Sequence, residues 1–545
     1  MPLSPKSEFS REETELLYAL QRGKLSRRRF LTYAAGTSAA LVVAGCGTNT
    51  LRASTTAGTA GKPKRGGSLS YTLPDQVETL DPAFSTQFGE RPVMLCIYDR
   101  LVTYDTNFNI TPGLAQTWSF SDGGKTLTLH LQPNVKFHDG TSCDANAVKW
   151  NLDRLLNPQV NAPMASLIVP PLSAVTVVNS TTVQLHLSRP WRPLLAALAD
   201  RAGYVVSPAA VQKYGKDYGS HPVGSGPFRF KSWVPGGNIT LERFEGYWQK
   251  GKPYLDEIIC TNVMDSSVAV TALEANQLQV LTDIPASLLQ ALANNENVSV
   301  NKIRGGHWYA TQYDVNKPPF NDKNLMAAEG YGADRKAVLE LAFSGLGEVA
   351  TNPLMVGWAA PKLSYPGPYP TSLSKAKSAL AKAGAVGHQR LTFTAASDYT
   401  AYSDLAQALQ PGWKSAGLDI SIQGAAYATL YSDLQSGKYD WSETDWTPRA
   451  DPDGLLRLLF YTGNSQNTTR FSDPQVDHLL DQAAEIYDTK KALPLYEQIL
   501  SIVIPYGGYD YIAMPEQVAA TRSNVGGFVQ YPDDLARLAD LYYTD

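Results

Sequence analysis

The chain has few cysteines, almost no excess charge and no long apolar run. Four cysteines in 545 residues are too few for the disulfide framework of a small secreted domain. The 47 basic and 51 acidic residues leave a net charge of −4, so no basic excess exists to neutralise a phosphate backbone, and nucleic acid is excluded as an expected partner. No run of about eighteen apolar residues follows the N-terminal region, so no mature transmembrane helix is predicted.

Catalytic and metal-binding motifs are also missing. The sequence contains no Gly-x-Ser-x-Gly elbow, no His-Glu-x-x-His pair and no Walker loop. The stretch Gly345–Ala350 is a poor dinucleotide-binding match without a preceding strand. The seven histidines are scattered without the spacing of metal ligands. We therefore predict neither an enzyme nor a cofactor nor a metal site, although a catalytic triad assembled only in space remains an alternative.

The length and composition that are present indicate an ordinary globular protein. Hydrophobic residues make up 43% and charged residues 18% of the chain, which excludes a mainly disordered or fibrous protein. Because 545 residues exceed the size at which one hydrophobic core stops growing, at least two domains are expected.

The N-terminus carries signals for export and lipid attachment. Arg27-Arg28-Arg29 forms a twin-arginine motif, followed by an uncharged, mildly apolar stretch, Thr32–Ala44. That stretch is too short to cross a bilayer. It leads into Val43-Ala44-Gly45-Cys46, which resembles a bacterial lipobox. We predict a signal peptide over residues 1–46, with the Cys46 sulfur carrying the lipid that anchors the mature protein.

A flexible tether is predicted over residues 47–67. This segment is rich in Thr, Ala and Gly and has no apolar periodicity, a composition typical of linkers.

Alternation of apolar and polar residues predicts mainly short strands between Ser68 and about Val280, interrupted by one helix. Phe120 and Leu127 flank the turn Asp122-Gly123-Gly124, a hairpin signal that recurs around Pro235–Asn238. The helix is expected to begin after a cap at Asp144 and to end at Asn157-Pro158. The glycines of Pro222–Phe228 are expected to adopt positive φ in a tight turn.

Beyond about Gly305 helices and strands alternate. A helix is predicted from Ser374 to a C-terminal Gly384. A strand at Leu391–Thr394, a helix around Leu405–Ser415 and a strand at Leu418–Ile422 read as a βαβ unit. A further helix follows a cap at Ser472 or Asp473. The pattern therefore favours two α/β lobes with a ligand site between them.

Short strings spread over nearly the whole mature chain carry a family resemblance. They are Thr79–Ala83, Ile97–Val102, Leu114–Trp118, Val135–Thr141, Pro222–Phe228, Glu245–Trp248, Asn316–Phe320 and Asp451–Gly454. Their number and order resemble family 5 of the bacterial extracellular solute-binding proteins, the peptide and nickel class.

The resemblance implies a two-lobed α/β clamp of the periplasmic-binding-protein type (type II, cluster C), with the second lobe inserted into the first. Lobe I would comprise residues 68–304 and 516–545, and lobe II residues 305–515. The protein would act as a monomer on the extracytoplasmic face of the membrane. It would capture a small solute, an oligopeptide in the first place, and deliver it to an ABC permease and its ATPase subunits.

Candidate ligand contacts follow from the resemblance. In peptide-binding relatives an aspartate shortly before the Asp-Pro pair holds the ligand's amino group, but here Pro448 or Arg449 stands at that place. Arg449 instead favours a carboxylate or another anion, since its guanidinium pairs bidentately. The arginine that holds the carboxylate in dipeptide-binding members is also missing, because the loop Ala396–Thr400 contains none. The predicted ligand-binding residues are Phe84, Thr86, Gln87, Phe88, Trp308, Tyr399, Trp446, Arg449 and Asp451.

Several alternatives stay open from sequence alone. Trp446 is expected to stack on a flat ligand or to pack behind its loop, and Arg449 to lie in the cleft or on a surface loop. The missing clamp and the abundant aromatic residues keep an oligosaccharide, haem or another non-peptide cargo as an alternative, and a secreted enzyme as a distant one. Without Cys46, the odd number of remaining cysteines (Cys96, Cys143 and Cys260) requires at least one unpaired thiol; buried free thiols are expected.

Overall fold

The computed structural model describes residues 61–545, apart from residues 169–170, 264, 361–362, 364–366, 368 and 385–389. The twin-arginine motif, Cys46 and most of the predicted tether lie outside the described residues. Within the described ranges, none of the helices combines the length and the apolar character that crossing a membrane requires.

The strands of the described residues alternate with helices along the chain. The strands are β1 (Ser68–Thr72), β2 (Val102–Tyr104), β3 (Ile110–Pro112), β4 (Ala115–Ser121), β5 (Thr126–Leu131), β6 (Leu172–Asn179), β7 (Thr182–Leu187), β8 (Phe228–Trp233), β9 (Ile239–Arg243), β10 (Glu257–Thr261), β11 (Val280–Leu281), β12 (Val298–Ile303), β13 (Trp308–Tyr313), β14 (Gly347–Glu348), β15 (Arg390–Ala396), β16 (Asp419–Ala425), β17 (Trp441–Trp446), β18 (Tyr509–Pro515), β19 (Gln517–Arg522), β20 (Val525–Gly526) and β21 (Tyr542–Tyr543).

The α-helices of the same residues are α1 (Glu90–Ile97), α2 (Ala145–Leu156), α3 (Leu194–Leu198), α4 (Pro208–Tyr214), α5 (Ser266–Glu274), α6 (Leu289–Ala293), α7 (Lys323–Gly332), α8 (Arg335–Phe343), α9 (Leu373–Ala383), α10 (Thr400–Ala416), α11 (Tyr427–Ser436), α12 (Asp453–Phe460), α13 (Pro474–Glu485) and α14 (Thr489–Tyr506).

Two large mixed sheets organise the molecule. The first has the order β12-β19-β11-β1-β10-β9-β8, and the second the order β14-β18-β13-β17-β15-β16. A four-stranded sheet, β4-β5-β7-β6, belongs to the same stretch of chain as the first. We call the part built on the seven- and four-stranded sheets lobe I and the part built on the six-stranded sheet lobe II.

The chain passes from lobe I to lobe II after β12 and returns after β18. Strand β19, which follows the return, pairs with β12 and β11, so the C-terminal part of the chain completes the lobe I sheet. The two crossings touch: a Cβ on Gly305 would lie 2.0 Å from the carbonyl oxygen of Pro515. Glycine at position 305 therefore allows the two connecting segments to pass side by side.

Each sheet has its own apolar core. In lobe II the two faces of the six-stranded sheet carry separate buried clusters, one around Trp308, Leu456 and Ile499 and the other around Phe393 and Trp441. Coverage on both faces is typical of sheets that contain parallel strands, such as the β15–β16 and β15–β17 pairs.

Most local predictions are confirmed. The two hairpins are the antiparallel pairs β4–β5 and β8–β9. The Asp144 side chain accepts hydrogen bonds from the amides of Asn146 and Ala147 and so caps α2, and Asp473 caps α13 through the amide of Gln475. The predicted βαβ unit is β15, α10 and β16, with the strands parallel. Helix α9 begins at Leu373 rather than Ser374 and is followed by Gly384 at φ 60°.

The prediction of a single helix between Ser68 and Val280 is wrong. Helices α1, α3, α4 and α5 also lie in this stretch. Helix α1 begins at Glu90, and its N-cap residue Gly89 offers no side-chain cap, so no start signal marks it. Helix α5 does have one, since the Asp265 carboxylate accepts hydrogen bonds from Ser267 and Val268 amides, and that signal was missed.

The predicted reason for the glycines of Pro222–Phe228 is also wrong. Neither Gly224 nor Gly226 has a positive φ. A Cβ at Gly224 would instead lie 2.1 Å from the Ile97 carbonyl oxygen, and one at Gly226 2.6 Å from that of Cys96. These glycines are needed because the segment passes directly against the end of α1.

Candidate functional site

Four predicted contact residues lie on one loop of lobe I, between β1 and α1. Side chains of Phe84 and Thr86 are exposed, and those of Gln87 and Phe88 are half-buried. Buried carboxylates hold the loop in place: Glu90 accepts a hydrogen bond from the Gln87 amide at 3.1 Å, and Asp75 accepts one from the Phe88 amide at 3.2 Å. The loop therefore presents its side chains from a fixed backbone.

An arginine group lies beside this loop. Arg91, in α1, pairs with Asp200 at 2.6 Å. The neighbouring Arg201 donates to the carbonyl oxygens of Thr86 and Gln87 at 3.4 and 3.3 Å. Burial in the first place, and the positive charge of Arg91 in the second, lower the pKa of Arg201 to about 10.

Arg449 of lobe II joins the same group. It follows β17, and its Nη1 donates to the Thr447 hydroxyl at 2.8 Å. Burial lowers the pKa of Arg449, and its closest charged influences are Asp200 and Arg91 of lobe I. The structure thus brings the predicted Arg449 together with the predicted loop of lobe I, and both surround a concentration of positive charge.

A second polar group, of opposite character, lies where β13 begins. His307 hydrogen-bonds through Nε2 to the carboxylate of Asp445, on β17, and its Nδ1 lies 3.7 Å from Asp534. The hydroxyl of Tyr402 donates to the same Asp445 carboxylate. Asp283 of lobe I adds a further negative charge within reach of His307. One histidine therefore faces three carboxylates from both lobes.

The electrostatics of this acidic group are strongly perturbed. Burial alone would lower the pKa of His307, but the charge and hydrogen bond of Asp445, together with the smaller effects of Asp534 and Asp283, raise the value to about 9. Burial raises the pKa of Asp534 to about 8, whereas His307 holds that of Asp445 below its usual range against the effect of burial. Asp445 is thus the ionised partner, and Asp534 retains its proton near neutral pH.

Tyrosines extend the acidic group along lobe II. The rings of Tyr399 and Tyr427 lie 5.1 Å apart, those of Tyr402 and Tyr427 6.0 Å, and those of Tyr427 and Tyr431 6.3 Å. Tyr399 and Tyr431 are 36% and 42% exposed. Asp75 of lobe I influences the pKa of both Tyr399 and Tyr427, so this wall of tyrosines faces the loop that Asp75 holds.

Three predicted contact residues have structural roles in this arrangement. Trp308 is fully buried, with its ring edge-on to Tyr511 at 5.0 Å. Trp446 is half-buried and packs against the apolar core of lobe II. Asp451 is buried, and Arg192 binds both of its carboxylate oxygens at 2.9 and 3.0 Å.

Sequence reasoning missed several members of both groups. Arg201 follows Asp200 with no motif around it, and Asp283 and Asp534 lie far apart in sequence, so only the fold brings them together. His307 and Asp445 are the sequence neighbours of the predicted contacts Trp308 and Trp446, but their partnership across β13 and β17 depends on strand register, which no local pattern fixes.

A small cavity of about 60 Å³ adjoins the acidic group; its lining includes Pro74, Thr282 and Asp283. Its volume suits a few water molecules. Across the described ranges, His, Cys, Asp and Glu side chains form no group of three or more that could hold a metal ion. The three cysteines there, Cys96, Cys143 and Cys260, are free and buried.

Comparison with known proteins gives a consistent result. Residues 109–467 match the family model described as bacterial extracellular solute-binding proteins, family 5, middle. The chain is 29% identical over 469 residues to the glutathione-binding protein GsiB of Salmonella paratyphi A, covering 84% of this chain and 90% of that protein.

Solved structures show the same fold. The periplasmic binding protein DppA of Helicobacter pylori, in complex with the peptide STSA, superposes with a TM-score of 0.80 at 22% identity, covering 88% of this chain and 99% of that one. The binding protein AgaA of A. tumefaciens R10, in complex with agropinic acid, superposes with a TM-score of 0.78 at 27% identity, with coverage of 88% and 99%. These matches confirm the predicted two-lobed α/β fold.

Proposed function

Because the chain belongs to family 5 of the bacterial extracellular solute-binding proteins, we propose that it captures a small peptide-type solute between its lobes and delivers it to an ABC permease with its ATPase subunits. Family members bind substrates and are not enzymes. The proposed cargo is zwitterionic, carrying at least one carboxylate and one ammonium group.

One observation carries this proposal: two polar groups of different character lie where the lobes meet. Arg201 and Arg449 form the positive group together with Arg91. Asp445 and its carboxylate neighbours form the acidic group, whose oxygens can accept hydrogen bonds from an ammonium, beside the tyrosine wall. A peptide has charges of both signs and apolar surface between them, so it complements all three features.

Two relatives support a cargo of this kind. The relative from Salmonella is named for glutathione, and the DppA structure contains the peptide STSA. An oligosaccharide or haem is less well matched. The tyrosine wall could stack on a sugar ring, but Trp308 and Trp446 pack into lobe II and a neutral sugar offers no anion to the arginine group. Haem is itself an anion, so it would place negative charge against the carboxylates of the acidic group.

The proposed mechanism is closure of lobe II on lobe I. The proposed boundaries place residues 68–304 and 516–545 in lobe I and residues 305–515 in lobe II. The two adjacent crossings at Gly305 and Pro515 would act as the hinge. Ligand can drive closure only by contacting the closed arrangement better than the open one, which requires contacts from both lobes.

The proposed ligand contacts are those predicted residues that remain accessible. On lobe I they are Phe84, Thr86, Gln87 and Phe88, and on lobe II they are Tyr399 and Arg449. We leave out Trp308, Trp446 and Asp451, because their side chains are committed to the core or to Arg192.

The proposed location is the extracytoplasmic face of the cell membrane, with the protein a monomer. Export through the twin-arginine motif, lipid attachment at Cys46 and a tether over residues 47–67 would hold the binding lobes near the permease. Several acyl chains on one cysteine would give stable anchoring, since a single chain binds a membrane only marginally.

A thermal-shift screen tests the proposed function. The melting temperature of the purified protein is measured with a panel of short peptides that includes glutathione, with a matched panel of oligosaccharides, and with haem. A ligand at a hundred times its dissociation constant adds about 2.7 kcal/mol to stability. We expect stabilisation by peptides alone. Stabilisation by a sugar or haem and not by any peptide would overturn the cargo, and consumption of a compound would overturn the binding role.

A further inference from the structure

We infer that Arg201 of lobe I and Arg449 of lobe II together form a subsite for a carboxylate group, which bridges the two lobes when the ligand is bound. The inference rests on the proposed function and names the part of the cargo that the arginine group takes.

The positive charges around Arg449 are not balanced. Five arginines share this region with three aspartates; they are Arg91, Arg100, Arg201, Arg449 and Arg537, with Asp75, Asp200 and Asp533. Asp75 accepts the amides of Phe88 and Gly89. Asp533 is already paired with Arg537 at 2.8 Å and accepts the hydroxyl of Tyr104. Asp200 is paired with Arg91. Arg201 and Arg449 are left without a carboxylate partner among the described residues.

The hydrogen-bonding capacity of the two arginines is also unused. A guanidinium has five N–H donors. Within the described ranges, Arg449 donates only through Nη1, to the backbone and hydroxyl of its own loop. Arg201 donates through Nη2 alone, and its buried Nε has no acceptor in the described part of the chain. The buried Nε of Arg201 is costly to leave unpaired, so an external acceptor is expected there.

A ligand can reach these donors. Both arginine side chains are only half-buried, and Thr86, whose carbonyl oxygen accepts from Arg201, is exposed beside them. The planar fork of an arginine fits the two oxygens of a carboxylate. The site therefore suits a carboxylate approaching along the loop that carries Phe84 and Thr86.

The position of the two arginines connects this subsite to closure. Each arginine is held by its own lobe. The positive charge of each makes the charged form of the other less favourable, because like charges repel. A carboxylate between them replaces that repulsion by two attractions. It thus supplies the contact by which a ligand prefers the closed arrangement.

The test uses succinate as a probe that does not depend on the cargo. Melting temperatures are measured at constant ionic strength with chloride, sulfate or succinate, for wild-type protein and for Arg449→Gln and Arg449→Lys. Arg390→Gln is the matched control, since Arg390 is an exposed arginine on β15 of the same lobe. We expect succinate to stabilise wild-type protein and the control more than sulfate does, not to stabilise Arg449→Gln, and to have an intermediate effect on Arg449→Lys.

The inference is overturned if succinate gives no shift in wild-type protein, or the same shift in wild-type and Arg449→Gln. A second result also overturns the inference while leaving the proposed function intact. In that result a peptide from the screen binds wild-type protein equally well as a free acid and as its C-terminal amide, and Arg449→Gln binds the peptide as tightly as wild-type protein does. We expect instead that the free acid binds Arg449→Gln at least about tenfold more weakly than it binds wild-type protein. A succinate effect that depends on Arg449 supports the subsite even where no peptide binds.

Discussion

Arg192 of lobe I and Asp451 of lobe II form a buried ion pair in which both carboxylate oxygens accept from the same guanidinium, at 2.9 and 3.0 Å. The other donors of Arg192 reach the carbonyl oxygens of Ala483 and Ile486 and the hydroxyl of Tyr496. All five N–H groups of one lobe I side chain are thus used within lobe II. This explains why the Asp-Pro pair is part of the family resemblance without offering Asp451 to a ligand.

Arg192→Met is expected to destabilise the protein by about 3–5 kcal/mol, because it leaves Asp451 buried without its partner. Urea unfolding followed by circular dichroism measures the change. Lys149→Met is the control, since it breaks only the exposed pair with Asp153 and should change stability little. The double variant Arg192→Met, Asp451→Leu should recover part of the loss; a loss as large as in the single variant would argue against the pair as its cause.

Stability is expected to fall between pH 7 and 9 through the acidic group. His307 keeps its proton in the folded protein up to a pKa of about 9, whereas an unfolded histidine loses it near 6.5. Its contribution to stability is therefore complete below about pH 6.5 and is lost as the pH rises towards 9. Asp534, with its pKa raised to about 8, acts in the same direction, since ionisation is disfavoured only in the folded state.

His307→Gln should make stability fall less steeply between pH 7 and 9, because the folded protein then releases up to about one proton fewer over this range. Urea midpoints at half-unit pH intervals measure the slope. His130→Gln is the control, since His130 is the exposed residue of β5, and it should keep the wild-type profile. An unchanged slope in His307→Gln would show that the three facing carboxylates, Asp283, Asp445 and Asp534, do not hold its proton.

The aromatic contacts are tested on each lobe separately. Tyr399→Ala and Phe84→Ala are each expected to weaken binding of the peptide that emerges from the screen by about tenfold, since each removes a partly exposed ring at a proposed ligand contact. Isothermal titration calorimetry gives the affinities. Tyr506→Ala removes a similarly exposed ring at the end of α14 and should leave affinity unchanged; equal losses in all three variants would point to a general effect on folding.

Local signals predicted much of the fold. Turn residues and alternation identified β4–β5 and β8–β9, and capping aspartates located α2 and α13, because these features depend on a few neighbouring residues. The site was less predictable. Arg449 and the loop from Phe84 to Phe88 were identified through the family resemblance, whereas Arg201, Asp283 and Asp534 become neighbours only through the packing of the two lobes. Trp308 was misleading, since an aromatic residue at a crossing serves a core as well as a ligand.

Cys46→Ser is expected to move most of the protein from the membrane fraction to the soluble extracytoplasmic fraction, since the proposed anchor is attached to that sulfur. Fractionation with immunoblotting, together with metabolic labelling by a fatty-acid analogue, measures this. Cys143→Ser is the control, because Cys143 is a buried free thiol. Continued membrane association and labelling of Cys46→Ser would exclude this cysteine as the lipid attachment site.

Native mass spectrometry of freshly purified protein, compared with its denatured mass, tests capture of a peptide-type solute most directly. We predict a species heavier than the bare chain by one small molecule, whose fragments are amino acids and which is displaced by the peptide found in the screen. A bound mass that fragments as a sugar or as haem, or a bare chain that no peptide converts to the heavier species, would contradict the account.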